Sequence, residues 1–178
     1  DPTYFRIFDR FIAIANERGF KLSIFVIGRD LQNPEIAARI REWSVDGHEI
    51  GNHTWSHSLS FGAMPPLKIE EEIVRTHEII HKTTGQQPVG FIAPGWSSSG
   101  QVYKVLIQHG YKYDTSHFPS LLFYAIFLKS MLNNRNDIST VKTIANRKDW
   151  LWPMTKPIDP FFINAKGEVV SKDHESIM

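Results

Sequence analysis

Two histidines four residues apart, His53 and His57, stand in the stretch GNHTWSH at 51 to 57. Imidazoles at that spacing can converge on one metal ion from a single turn of chain, and imidazole is the commonest neutral nitrogen ligand. The H-x-x-x-H spacing alone is unspecific. A catalytic zinc usually takes three protein ligands and keeps a fourth position for water, so two histidines are not a full set. The plain alternative is a pair of surface or half-buried histidines holding nothing. Asn52-His53-Thr54 also reads as N-x-T, a glycosylation acceptor, although a strand end beside a cleft is a poor place for a glycan.

The elements around this pair must position it. Residues 2 to 18 predict an amphipathic helix, with Asp1 as N-cap, Pro2 at the first helical position and Gly19 at the end. Phe5, Phe8, Ile12 and Ala15 fall on one face. KLSIFVIG (21 to 28) predicts a buried strand. Asn33 and Pro34 open a helix over 36 to 45, closed by Gly47, and HEIGNH (48 to 53) predicts the strand that leads into the histidines. A longer helix spans 67 to 84, with Lys68, Glu70, Glu71, Glu72 and Arg75 on its charged face. VGFIA (89 to 93) predicts a strand, 101 to 108 a helix, and 111 to 116 begins as a strand. Residues 119 to 132 have helical character, 133 to 160 have no clear period, and 160 to 178 are polar.

Alternating strands and helices imply βαβ units with parallel strands. The choice is an open doubly wound sheet or a (β/α) barrel, and periodicity does not separate them. In both, chemistry gathers at the C-terminal ends of strands. His53, Pro94 and Asp114 each fall at or just past a predicted strand end, which points to one shared site.

Composition narrows the class. The 178 residues suffice for one domain with a sizeable core, and the formal net charge of +1 carries no basic surplus for nucleic acid. The longest apolar run, LLFYAIFL at 121 to 128, is too short for a membrane span, which needs about 18 residues. The absence of cysteine excludes disulfides and thiolate chemistry, without fixing a compartment. Oligomeric state is not legible.

DGHEIGNHTWSH (46 to 57) resembles a hallmark of the polysaccharide deacetylase family of carbohydrate esterases, in which H-S/T-x-x-H follows a strand, often after G-H-E-I-G-N. GFIAPGWSSS (90 to 99) resembles that family's F-R-x-P-[GY] stretch. GYKYDTSHFPS (110 to 120) resembles its motif beginning with an Asp after a short strand. Order and spacing agree over roughly residues 5 to 120. The resemblance implies an α/β fold, an irregular (β/α) barrel of parallel strands, incomplete in this chain and forming one domain over 1 to 178. It implies a divalent metal, zinc in preference, held by His53 and His57. It implies hydrolysis of N-acetyl groups from amino sugars of a polysaccharide or oligosaccharide. The Gly95 N–H would hold the oxyanion, and Asp114 would orient a histidine that protonates the leaving amine. Pro94 and Trp96 would meet substrate, with Trp96 and Phe118 able to stack on a sugar ring.

Two departures stand beside this resemblance. Ile92 occupies the position of the family's arginine. The family's Asp-Asp motif and its late L-x-H are not found: the chain starts at Asp1, too late for the first, and His174 sits in a polar tail. Catalytic parts beyond this sequence, or a degenerate member, would each account for that. The other histidines have structural readings: His48 a packing residue, His77 and His81 a solvated helix face, His109 a helix-end cation, His117 a loop residue near Asp114. Asp114 itself has a turn or cap reading. The competing functions are a deacylase of a smaller amide and an inactive relative that binds carbohydrate or serves as a scaffold.

Overall fold

The computed structural model describes residues 2–117, 128, 129, 132, 159–170 and 176–178. Helix α1 (Pro2–Arg18) leads to strand β1 (Ser23–Val26), α2 (Pro34–Val45) to β2 (Glu49–Asn52), α3 (Pro66–Thr84) to β3 (Gly90–Phe91), and α4 (Gly100–Gln108) to β4 (Tyr113–Asp114). Every predicted helix and strand up to Asp114 is present. The strands are shorter than predicted because the chain turns sharply past their ends, into 3-10 turns at Gly28–Gln32 after β1 and Pro94–Trp96 after β3. Asp1, the expected cap of α1, lies outside the described residues, as do Phe118, His174 and nearly all of 119 to 158.

Local chemistry explains the boundaries. The Asn33 side chain accepts from the Glu35 N–H at 2.9 Å, and Pro34 supplies a preset first helical residue for α2. Gly85, at φ 76°, ends α3 in the left-handed conformation that costs glycine least.

The four strands are all parallel, in the order β1-β2-β3-β4. Consecutive helices pack on one another, α2 on α3 and α3 on α4. Sequential order with neighbouring helices along one face is the wall of a (β/α) barrel; a doubly wound sheet would reverse its order and cover both faces. The described strands form an arc of that wall.

Register separates the two faces. Val26 pairs with Asn52, Asn52 with Phe91 and Phe91 with Asp114, so these four share a face, together with Ile24 and Ile50 two residues back. That face meets the helices. Ile24, Val26 and Ile50 pack with Ile12, Ile40 and Trp43, while Phe91 packs with Phe61, Ile69, Ile73 and Leu106. Each fully buried Ile there stabilises the fold by about 1.5–3 kcal/mol. The inner face carries Phe25, Glu49, Gly51, Gly90 and Tyr113. Phe25 and Tyr113 meet edge to face at 6.4 Å, and Tyr113 donates to Glu49 at 2.6 Å. Their rings cross Gly51 and Gly90: a Cβ on Gly51 would lie 2.5 Å from the Phe25 ring.

The polar C-terminal stretch holds structure that its sequence does not announce. Strands β5 (Phe162–Asn164), β6 (Val169–Val170) and β7 (Ser176–Ile177) form an antiparallel sheet in the order β6-β5-β7. Its Ile163 and Ile177 join the core beside α4. Met178 lies along the free edge of β4, donating to Lys112 O at 3.2 Å and accepting from Asp114 N at 2.6 Å. Among the described residues, no helix is long and apolar enough to cross a membrane.

Candidate functional site

Strand β2 delivers the histidines. The His53 N–H bonds to Val26 O at 3.0 Å, and alternation carries its side chain to the inner face. The chain then folds back through two left-handed residues, Thr54 (φ 63°) and His57 (φ 59°). For a β-branched residue this is a true outlier, which persists only where surroundings over-determine it. Here they do. Asn52 Oδ1 accepts from Thr54 N at 2.8 Å, Thr54 Oγ1 accepts from His57 N at 3.3 Å, and Thr54 O accepts from Gly28 N at 2.9 Å. From α3, Glu72 accepts from Ser56 N at 2.8 Å, and the Arg75 guanidinium lies 3.9 Å over the Trp55 ring. The result brings the two imidazoles face to edge, with centroids 4.8 Å apart.

His53 Nδ1 lies 2.7 Å from Ile92 O. A carbonyl only accepts, so Nδ1 carries the proton, and in the neutral ring Nε2 keeps its lone pair for a ligand. Burial holds the His53 pKa below 6.5, the Ile92 bond opposes this, and His57 adds to it. A neutral imidazole with its second nitrogen tied to a carbonyl is the usual state of a metal-binding histidine. The His53 tautomer therefore suits a ligand to a zinc-like divalent ion, and the His57 ring lies beside it. Among the described residues no group of three or more His, Asp or Glu gathers that could hold one. Both histidines reach a cavity of about 650 Å³ whose wall is mostly apolar side chains of α1, α2 and β1, with Asp30 beside them. Asp30, in the turn after β1, was not singled out by sequence; only its place past a strand end marked it.

Asp114 lies elsewhere. It faces the helices, two strands away from the histidines and on the other side of the sheet. Its carboxylate accepts from Ser116 N at 2.9 Å, from the Ser116 hydroxyl and from Tyr103 of α4. Burial raises its pKa to about 6 against the pull of those bonds. With Tyr103, His117 and Phe161 it lines a second cavity, of about 320 Å³. The Pro94-Gly95-Trp96 turn sits at the same end of the sheet as His53. Gly95 (φ 58°) and Trp96 (φ 54°) are left-handed, Pro94 is buried, and Trp96 is 43% exposed. The structure thus brings His53 and His57 together, puts the Gly95 turn beside the strand that holds His53, and separates Asp114 from them.

His48 and His77 have structural partners. His48 is buried at the far end of β2, and its Nδ1 accepts from Leu22 N at 3.0 Å. His77 differs from the solvated face expected of it: it is half-buried, bonded to Gln87 and 3.2 Å from the Tyr111 hydroxyl. His81 is exposed. Asn52 is fully buried with its amide bonded, which closes the glycosylation reading.

A family model described as polysaccharide deacetylase matches residues 2–113. The chain belongs to the polysaccharide deacetylase family. It is 30% identical over 113 residues to a peptidoglycan deacetylase of Helicobacter pylori, an alignment covering 64% of this chain and 36% of that protein. A crystal structure of a Mycobacterium smegmatis protein assigned as a polysaccharide deacetylase superposes with a TM-score of 0.57 at 26% identity, over 62% of this chain and 37% of that one. A CE4 family pseudoenzyme from Bacillus anthracis shares the fold, with a TM-score of 0.54 at 22% identity, over 60% of this chain and 37% of that one. The chain thus spans little more than a third of the length of these relatives.

Proposed function

We propose that this chain carries the histidine pair of a metal-dependent deacetylase that hydrolyses N-acetyl groups of amino sugars in a polysaccharide. The observation that carries the reading is the locked His53: its Nδ1–H is spent on Ile92 O, and the His57 ring lies across it at the strand ends. When bound, a divalent ion such as zinc supplies carbonyl polarisation and a water of lowered pKa. His53 and His57 would hold it. The Gly95 N–H, in the turn after β3, is the proposed donor to the oxyanion, a contact of a kind worth about 2.7–4 kcal/mol. Trp96 presents an exposed ring for a sugar face, with Pro94 fixing the turn beneath it. Asp114, expected at the same site, faces the helices on the other side of the sheet and is bonded to Ser116 and Tyr103, so it has no part in this proposal.

A second reading has one observation in its favour. Ile92 stands at the family's arginine position and contributes only its carbonyl to His53. An inactive relative that binds carbohydrate needs no such arginine. The experiment is acetate release from N-acetylglucosamine oligomers by the full-length protein with zinc, wild type beside Ile92→Arg. Release by the wild type supports the enzyme. Release by neither, with the oligomers still bound, supports the inactive reading.

A further inference from the structure

We infer that Asn52 is the positioning residue of the histidine pair: its side-chain amide, on the helix side of the sheet, sets the left-handed Thr54 that turns His57 onto His53. The inference rests on the reading of His53 and His57 as metal ligands.

Asn52 is fully buried, and every polar atom of its side chain is bonded. Nδ2 donates to Ile73 O at 2.9 Å and to the Tyr111 hydroxyl at 2.7 Å. Oδ1 accepts from Thr54 N at 2.8 Å. These bonds fix the orientation of the amide. Rotated by half a turn, it would set its oxygen against the Ile73 carbonyl and its NH2 against the Thr54 N–H, two repulsive contacts in a dry interior. Ile73 and Tyr111 thus aim Oδ1 at Thr54.

Thr54 responds by adopting φ 63°, a conformation unfavourable for a β-branched residue. Its hydroxyl then accepts from His57 N, and its carbonyl from Gly28 N. The chain of contacts therefore runs from α3 and Tyr111, through Asn52 and Thr54, to the backbone of His57. His53 is held separately, by Val26 O and Ile92 O. Asn52 touches neither imidazole, so its effect is on their mutual placement.

Substitutions separate this role from bulk. Asn52→Asp keeps an oxygen for the Thr54 N–H and, protonated in the dry interior, an O–H that donates to Ile73 O in place of the NH2. Asn52→Leu keeps the volume and loses the acceptor. Zinc titration calorimetry and thermal unfolding are run on the full-length wild type and both variants. Asn52→Asp is expected to unfold at lower temperature yet bind zinc within about threefold of wild type. Asn52→Leu is expected to bind about tenfold or more weakly, the usual range for a residue that orients ligands. Zinc affinity that tracks unfolding temperature across both variants, or full affinity in Asn52→Leu, overturns the inference. If Asn52→Leu does not fold, Asn52→Asp decides alone: a tenfold loss in that variant overturns it.

A second arm needs no metal. Long-range 1H–15N spectra of the imidazoles are expected to show contact between the His53 and His57 rings in wild type and Asn52→Asp, through shifts of each when the other is replaced by Gln, and none in Asn52→Leu. Ring coupling that survives in Asn52→Leu overturns the positioning role. Absence of zinc binding by the wild type, with the coupling behaving as expected, removes the metal reading and leaves the positioning role standing.

Discussion

Asp114 and His57 show how far a residue type reveals its own surroundings. A histidine pair four apart advertises itself, because the ligating atoms are in the side chains. The group that orients His53 does not: it is the Ile92 carbonyl, which any residue would supply. Asn52 was legible as part of GNH and of an N-x-T match, but not in its structural role, which depends on Ile73 and Tyr111, 21 and 59 residues away. Asp114 was legible as an acid past a strand, but its face depends on pairing with Phe91, which sequence does not state. Its environment makes a prediction. The folded pKa, about 6, exceeds the ordinary 3.8, so between those values the folded state holds more protons than the unfolded one. Stability from this group is complete below about pH 3.8 and is lost as pH rises through 6. Asp114→Asn should therefore gain on the wild type by on the order of 1–3 kcal/mol between pH 4.5 and pH 8. Urea unfolding at both values measures it; an identical difference at the two would show that the carboxylate ionises freely.

Elements were legible where periodicity had length to act. Helix α3, with Ile69, Ile73 and Ile80 at helical spacing, was readable to within a residue. Strands β5, β6 and β7 have two or three residues each, too few for alternation to declare itself. The hairpin between β5 and β6 turns on Gly167 at φ 81°, and Asn164 Oδ1 accepts from Lys166 N and Glu168 N, signals that outweigh the polar composition only in hindsight. The contact of α3 with the turn after β1 is equally hidden in sequence. A Cβ on Gly28 would lie 2.8 Å from the Trp55 ring and 3.0 Å from the Thr76 backbone. Gly28→Ala should push Trp55 outward, cost about 1–3 kcal/mol and weaken zinc binding. Gly51→Ala crowds Phe25 instead, on the inner face, and should cost comparable stability with less effect on zinc. Equal losses of zinc affinity in the two variants would show that the loop does not depend on its seat against α3.

At the scale of the molecule, parallel order followed from the alternation of elements, while the barrel was legible only through the family resemblance, which the observed order of strands bears out. The whole-molecule titration has a sign that the histidines fix. Burial holds the pKa values of His48, His53 and His77 below 6.5. Between the folded and unfolded values the unfolded chain binds more protons, so stability is complete above 6.5 and falls as pH drops below it. Asp114 opposes this as pH falls through about 6, one carboxyl against three rings. The melting temperature should therefore decline from pH 7.5 to 6; a flat profile would mean that these rings titrate as if exposed. The central claim is that His53 and His57 share one ion, and zinc-edge X-ray absorption of the full-length protein tests it most directly by counting imidazole ligands. Two in the wild type and one in His57→Ala is the predicted result; an imidazole count unchanged by His57→Ala would contradict it.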